Sequence, residues 1–338
     1  MTRMTDRVLS LAQPTADSMH LGNYLGALRQ WPALQEGAET FFGVANLHSL
    51  NEWPEPDVLR ERTLRTAAQI IAVGVDPTRA TVFVQSHVPQ HTELTWVLDC
   101  LTGFGQASRM TQFKDKAASR GPESTNVGLF NYPVLMAADI LIYRSHRIPV
   151  GEDQRQHLEL TRDLAERFNA RYGETFPVPE PHILESVGKI QDLQDPQAKM
   201  SKSSPSPAGR IELADEPKQI VKKFKSAVTD SGSEITYDPE NKPGVANLLS
   251  IFSAVTGRSI DALVTEFEGK MYGHLKIAVA DAVVEELTPV RERVNALMDD
   301  RAELERILAA GAERARAVAA ETLTDVYARV GLDAALRS

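Results

Sequence analysis

The sequence predicts an α/β protein: a doubly wound parallel sheet over residues 1–210, followed by an all-helical region over 211–338. Three observations carry this. Short apolar, β-branched runs alternate with amphipathic stretches in the first half, the pattern of a parallel sheet with helices on its faces. The alternation stops after FPVPEP (176–181), and composition shifts again after KMSKSSPSPAG (199–209). From Ile211 onward the apolar residues recur at helical spacing with little strand signal.

The elements follow in order. Arg7–Ala12 is a short apolar strand, and the loop QPTADS leads into a helical pattern over 21–34. Thr40–Ala45 is a second apolar run. Asp57 is placed to cap a helix that stops at Gly74. Ala80–Ser86 is rich in β-branched and aromatic residues and reads as a buried strand. His91–Phe104 and Ser108–Ala118 read as helices, and 119–126 as a polar loop. Gly128–Tyr143 is helical, Arg147–Val150 a brief strand, and Asp153–Tyr172 a long amphipathic helix. In the second half Pro289 interrupts a helical pattern, which predicts a kink or an end.

The chain has 338 residues, 42% hydrophobic and 25% charged, which excludes wholesale disorder. A single cysteine, Cys100, rules out an internal disulfide or a multi-cysteine metal site. Its setting, WVLDCLTGF, predicts a buried core thiol. His87, His91, His146, His157, His182 and His274 share no metal-ligand spacing and receive no function. No structural metal is expected. No apolar run reaches the roughly 18 residues of a membrane span. The N-terminus reads as a strand rather than a signal peptide, so no membrane association and a cytoplasmic location are expected. The net charge of −9 is not that of a typical nucleic-acid binder. Two local basic clusters stand out, Lys218, Lys222, Lys223 and Lys225, and Arg306, Arg314 and Arg316; their simplest reading is a solvated helix face.

Two constellations carry chemistry. The first, Gln13 to Asn23, lies between the first strand and the first helix, where a doubly wound sheet binds phosphate-bearing ligands. A helix N-terminus offers N–H groups and partial positive charge. Gly22 allows close backbone approach, and His20 and Asn23, three apart, share one face of the first turn. An ordinary capped helix start fits the same residues. The second constellation is Lys199-Met200-Ser201-Lys202-Ser203: two lysines three apart on a Ser-rich loop can converge on a polyanion, although a solvated linker looks the same.

Together, HLGN and KMSKS about 180 residues apart resemble the paired ATP motifs of class I aminoacyl-tRNA synthetases. GNYLGALRQW, VGVDPTRATVFVQSHVP, RMTQFKDK, YPVLMAADILIY, VGEDQRQHLELTRDLAERFN, KSAVTDS and EGKMYGHLK extend the resemblance over nearly the whole chain, to the bacterial tryptophanyl-tRNA synthetases. The resemblance implies a Rossmann-like catalytic domain over 1–210 and a helical, tRNA (anticodon)-binding domain over 211–338. The implied activity is two-step ligation of L-tryptophan to tRNA(Trp), through tryptophanyl-adenylate. ATP, accompanied by Mg²⁺, is converted to AMP and pyrophosphate, and the enzyme is a homodimer with tRNA spanning both subunits, so that the Lys218–Lys225 cluster and the C-terminal arginines become candidate tRNA contacts. It further implies that Gln13, Pro14, Thr15, His20, Gly22 and Asn23 contact ATP, that Gly151, Glu152 and Asp153 hold the ribose, and that Ile190 meets adenine. Lys199, Met200, Ser201, Lys202 and Ser203 form the loop on the triphosphate. Lys199, Lys202 and Lys114 are the implied catalytic cations. Asp139 is implied to accept the indole N–H, with Leu9, His48, Tyr132, Met136, Val150 and Gln154 around the amino acid.

The chemistry of the residues agrees. A carboxylate attacking the α-phosphorus of ATP needs positioning and charge stabilisation, not a nucleophilic triad. Tyr132, Met136 and Asp139 fall on one helix face, and Met136 stands where tyrosyl enzymes usually carry Gln. A thioether plus one acceptor suits indole better than phenol. The sequence departs from the family pattern at Leu9, Leu11, Asn46, Ser204 and Met271, and the PTADSMHLGN loop is one residue longer than its commonest form. Two alternatives stay open from sequence: a tyrosyl-tRNA synthetase, which PTADSMH also resembles, and a non-catalytic paralogue that binds tryptophan or RNA.

Overall fold

The computed structural model describes residues 6–111, 113–114, 125–149, 151, 154–182, 189–201 and 206–332. Its strands are β1 (Arg7–Ala12), β2 (Glu39–Val44), β3 (Thr81–Val84), β4 (Arg147–Pro149) and β5 (Glu180–His182), all parallel in the order β3-β2-β1-β4-β5. This is a Rossmann-like sheet. β1 and β2 pair from Arg7–Glu39 to Ala12–Val44, whereas β1 and β4 are registered at Val8–Arg147.

The α-helices of the first half are α1 (Leu21–Gly26), α2 (Trp31–Leu34), α3 (Asn46–Ser49), α4 (Pro56–Ala72), α5 (Gln90–Asp99), α6 (Phe104–Ala107), α7 (Val127–Leu141) and α8 (Arg155–Tyr172). Those of the second half are α9 (Pro217–Lys225), α10 (Pro243–Thr256), α11 (Ile260–Glu266), α12 (Tyr272–Asp299) and α13 (Arg301–Val330).

Strands β2 and β3 are buried on both faces, as a helix-covered parallel sheet requires, whereas β5 at the edge is exposed. Phe42, Val44, Val82 and Val84 face one core with α1, α4 and α9 to α12. Leu9, Phe41 and Phe83, in the alternate positions, face the other core with α5, α7 and α8. Helix α13 belongs to both: Leu304 and Leu308 sit in the first core, and Ala315, Ala319 and Leu323 in the second. It crosses the sheet at the edge strand β3. At the crossing a Cβ on Gly311 would lie 1.7 Å from the Val82 carbonyl oxygen, so only glycine fits. The helical region thus packs back onto the sheet.

Several expectations are corrected. The helix expected over 21–34 is broken after Gly26 by a 3₁₀ turn at Leu28–Gln30, because Pro32 has no N–H to continue it. Asp57 is not a cap; it lies in the first turn of α4 behind Glu55 and Pro56, and pairs with Arg60. The strand expected to reach Ser86 ends at Val84 in a 3₁₀ turn, and α5 ends at Asp99. The Ser108–Ala118 helix lies largely outside the described residues. β5, with Pro181 inside it, was unexpected; it is an edge strand, where a missing N–H costs least. Helix α12 runs through Pro289. Cys100 is exposed rather than buried. Among the described residues no single helix is long and apolar enough to cross a membrane, although α10 and α11 pass that test together as a pair bent by 112°.

Candidate active site

Chain connections run from β1 outward in both directions, so the crevice at the carboxyl ends of β1 and β4 is the topological switch point. A cavity of about 730 Å³ opens there, walled by Leu9 to Gln13 on one side and by Ile148, Pro149 and Gly151 on the other. Its two ends differ.

At the inner end stands Asp139 of α7, 1% exposed. Its Oδ1 accepts from His91 Nδ1 at 2.6 Å and from Gln85 Nε2 at 2.8 Å. Its Oδ2 accepts from His48 Nε2 at 2.9 Å and again from Gln85 Nε2 at 2.9 Å. Gln85 cannot flip, because its Oε1 takes the Leu47 N–H at 3.0 Å. On its far side, His91 Nε2 lies 2.8 Å from Tyr143 Oη. Burial alone raises the Asp139 carboxyl, but the hydrogen bonds and charge of His48 and His91 outweigh it and bring the pKa down to about 2. Tyr143, buried beside that anion, is pushed well above the usual phenol range and keeps its proton to donate. His48 Nδ1 is buried and has no hydrogen-bond partner among the described residues. Tyr132, Met136 and Gln154 complete this end, and burial pushes the Tyr132 phenol up to about 12.

The outer end is made of turns. His20 is the N-cap of α1: its Nδ1 accepts from Asn23 N–H at 3.3 Å, and Asn23 Oδ1 accepts from His20 N–H at 3.5 Å. A reciprocal cap of this kind is usually built from Ser or Thr with Glu. Both residues also line the cavity. A Cβ on Gly22 would meet the His20 ring at 3.1 Å. Behind the loop, Gln69 of α4 donates to Ser18 Oγ at 2.8 Å and accepts the Met19 N–H at 3.3 Å. Residues 190–200 form a hairpin, with Met200 N–H on the Ile190 carbonyl at 3.0 Å and Asp192 N–H on the Ala198 carbonyl at 2.9 Å. Asn247 of α10 holds its base, bonding the Gln191 N–H at 2.9 Å and the Gln191 carbonyl at 3.0 Å. The hairpin carries Lys199, Met200 and Ser201 to the cavity wall.

Of the expected site residues, Leu9, Gln13, Thr15, His20, Gly22, Asn23, His48, Tyr132, Met136, Asp139, Gly151, Gln154, Lys199, Met200 and Ser201 line this one cavity. Ile190 is buried at its edge, 3.8 Å from a Cβ built on Gly22. Pro14 is buried and Lys114 exposed, both off the cavity wall. Val150, Glu152, Asp153, Lys202 and Ser203 lie outside the described residues.

Sequence reasoning assigned His91 and His157 no function, and passed over Gln85 and Tyr143. Gln85 and His91 back Asp139, Tyr143 backs His91, and His157 backs Tyr132, from 25 to 54 positions away and too far for local spacing to reveal; His157 also meets Gln154, three positions before it. The departures also find a place. Leu11 lies over Gly43 of β2, where a Cβ would come within 2.7 Å of it. Asn46 bonds Ser86 twice, donating to Oγ at 2.9 Å and accepting the N–H at 3.1 Å.

The family of class I tRNA synthetases for W and Y matches residues 3–288, which include the whole cavity wall. A tryptophan–tRNA ligase of Corynebacterium glutamicum is 60% identical over 331 residues, 98% of this chain and 96% of that protein. The chain belongs to the bacterial tryptophanyl-tRNA synthetases. Among solved structures, the tryptophanyl-tRNA synthetase of Mycoplasma pneumoniae superposes with a TM-score of 0.87 at 36% identity, covering 99% of this chain and all of that one. That of Campylobacter jejuni, complexed with ADP and tryptophan, gives 0.84 at 35%, covering 96% and 100%. The family match ends at residue 288, but the C. glutamicum protein aligns over 98% of this chain, so the resemblance continues through the second half of α12 and into α13.

Proposed function

We infer that this cavity is where L-tryptophan and ATP react, and that the chain is a tryptophan–tRNA ligase. The observation that carries the reading is one cavity with two unlike ends, a buried anion at one and a capped helix N-terminus facing a lysine-bearing hairpin at the other. Indole presents a broad apolar face and one N–H. Met136 supplies polarizable packing and Asp139 the acceptor, held anionic by its histidines.

At the outer end, α1 offers the partial positive charge of its N-terminus to the phosphates, and Gln13, Thr15, His20 and Asn23 border that space. Ile190 lies beside Gly22 for the adenine, and Gly151, with Glu152 and Asp153, is assigned the ribose. Lys199, Lys202 and Lys114 are assigned to the phosphates. The tryptophan carboxylate attacks the α-phosphorus in line, pyrophosphate leaves with its charge met by the lysines, and the adenylate then acylates the terminal adenosine of tRNA(Trp). ATP enters as its Mg²⁺ complex. That ion is held by phosphates and water, with few protein ligands.

Residues 1–210 serve as the catalytic part and 211–338 as the tRNA-binding part. Lys218, Lys222 and Lys225 are exposed along α9, whereas Lys223 is bound to Asp215. The C-terminal arginines fit a structural role better: Arg306 pairs with Glu303, Arg314 bonds the Pro77 and Ala80 carbonyls, and Arg316 the Ala312 carbonyl. A homodimer is supported by Trp96, Phe104 and Val127, which are 70%, 79% and 80% exposed on α5, α6 and α7, helices that pack on one another. The location is cytoplasmic.

Amino-acid-dependent ATP–pyrophosphate exchange tests the reading. Tryptophan should support exchange, and tyrosine and phenylalanine should fall short by about 10⁴-fold, the discrimination of a site built on a buried polar partner. Lys202→Ala should lower exchange by about a hundredfold or more, with tryptophan affinity in the absence of ATP unchanged. Tyrosine-dependent exchange comparable to that with tryptophan contradicts the assignment.

A further inference from the structure

Arg62 and Gln69, seven residues apart on α4, lie on one helix face, and both reach the turn that precedes α1. The two contacts differ. Arg62 Nε donates to Asp17 Oδ1 at 2.8 Å, and the Asp17 side chain is 81% exposed. Gln69 and its partner Ser18 are only 1% and 4% exposed. Gln69 stands among buried Ala67, Ala68 and Ile70, a setting where glutamine is seldom found.

The contacts fix the amide. A main-chain N–H only donates, so the Met19 N–H, 3.3 Å away, places Oε1, and Nε2 then donates to Ser18 Oγ at 2.8 Å. Ser18 Oγ also accepts the Ala214 N–H at 3.2 Å, which leaves its own proton for the Met19 carbonyl at 3.1 Å. The same carbonyl accepts the Leu213 N–H at 2.9 Å. One buried amide thus joins α4, the turn before α1 and the segment 211–214, which follows KMSKS in the chain. Met19 and His20 line the cavity, whereas Gln69 and Ser18 stand behind its wall.

We propose that Gln69 is a positioning residue for the nucleotide: through Ser18 and Met19 it fixes the turn that presents Met19 and His20 at the outer end of the cavity, without touching ATP itself. This rests on the assignment of that end to ATP and deepens it. Leucine would pack at position 69 equally well; what it lacks is the pair of bonds, and a network completed by each of its members is lost as a unit when one is removed. The turn then drifts where the phosphates must be met, while the inner end, built on Asp139, stays as it is. The exposed Arg62–Asp17 pair adds little, because water competes for both charges.

Steady-state ATP–pyrophosphate exchange and tryptophan binding without ATP, measured on the same variants well below their melting temperatures, test this. Gln69→Leu should lower kcat/KM for ATP about tenfold and leave tryptophan affinity within about twofold. Ser18→Ala should show the same selective loss, and the double variant should be no worse than Gln69→Leu alone, since both break one network. Arg62→Gln should stay within about twofold of the native protein in both assays. A merely structural role lowers the melting temperature and leaves kcat/KM for ATP within about twofold, and that result overturns the proposal. So do losses that multiply in the double variant, an equal loss of tryptophan affinity, or a loss in Arg62→Gln as large as in Gln69→Leu. If Gln69→Leu fails to fold, Ser18→Ala carries the test alone, and an unchanged kcat/KM for ATP there overturns the proposal. A native protein that shows no tryptophan-dependent exchange instead refutes the underlying function.

Discussion

The inner and outer ends of the cavity are built from different materials. The inner end is a network of side chains from four separated segments, His48, Gln85, His91 and Asp139, each completing another in the interior. The outer end is backbone: a reciprocal cap at His20 and Asn23, and a hairpin held at its base by Asn247. A buried network is cooperative, so damage at one member spreads to folding and to ligand alike. A capped turn beside solvent is modular, so damage there stays local. On the proposed assignment, amino-acid recognition is preassembled by folding, while the nucleotide side is shaped by a few separable contacts.

Asp139→Ala should have the largest effect. It strands His48, Gln85 and His91 as buried donors, and we expect a stability loss of about 3 kcal/mol or more in urea unfolding, with tryptophan-dependent exchange down at least about a hundredfold. Full stability in this variant breaks the comparison at its stronger end. The pH dependence sharpens it. The Asp139 carboxyl is held at about 2, below the ordinary unfolded value of about 3.9. Its contribution is therefore complete above about pH 4 and is lost as pH falls through about 2. Between those pH values the native protein should lose more stability than Asp139→Asn does.

At the other end, Gly22→Val drives a branched side chain against the His20 ring, 3.1 Å away already for a bare Cβ. The KM for ATP should rise at least about tenfold, with little change in unfolding. Asn247→Ala removes both bonds to the Gln191 backbone. Steady-state exchange should show kcat reduced about threefold to tenfold, with tryptophan affinity intact. Asn23→Ala should be mildest: the loss of half a cap costs about 0.5–1 kcal/mol, read as a small fall in melting temperature with a few-fold rise in the KM for ATP.

The same contrast explains what could be read from sequence. The outer end was legible because HLGN and KMSKS are contiguous, and contiguous residues form turns whose chemistry is local. β1, at Arg7–Ala12, was legible for the same reason: one apolar run makes one buried strand. The inner end was only half legible. Tyr132, Met136 and Asp139 are spaced along one helix, but what holds Asp139 anionic comes from positions 48, 85 and 91, which only the sheet brings together. The failures were tertiary too. A proline on an edge strand hid β5, and the return of α13 onto β3 depends on Gly311, whose meaning appears only beside the Val82 carbonyl.

Equilibrium binding of L-tryptophan in the absence of ATP, measured side by side on the native protein, Gly22→Val and Asp139→Asn, tests the central claim most directly. If recognition is preassembled at the inner end, Gly22→Val binds tryptophan as the native protein does, and Asp139→Asn binds it at least about tenfold more weakly. A loss in Gly22→Val as large as that in Asp139→Asn contradicts the account, because the two ends would then be one coupled site.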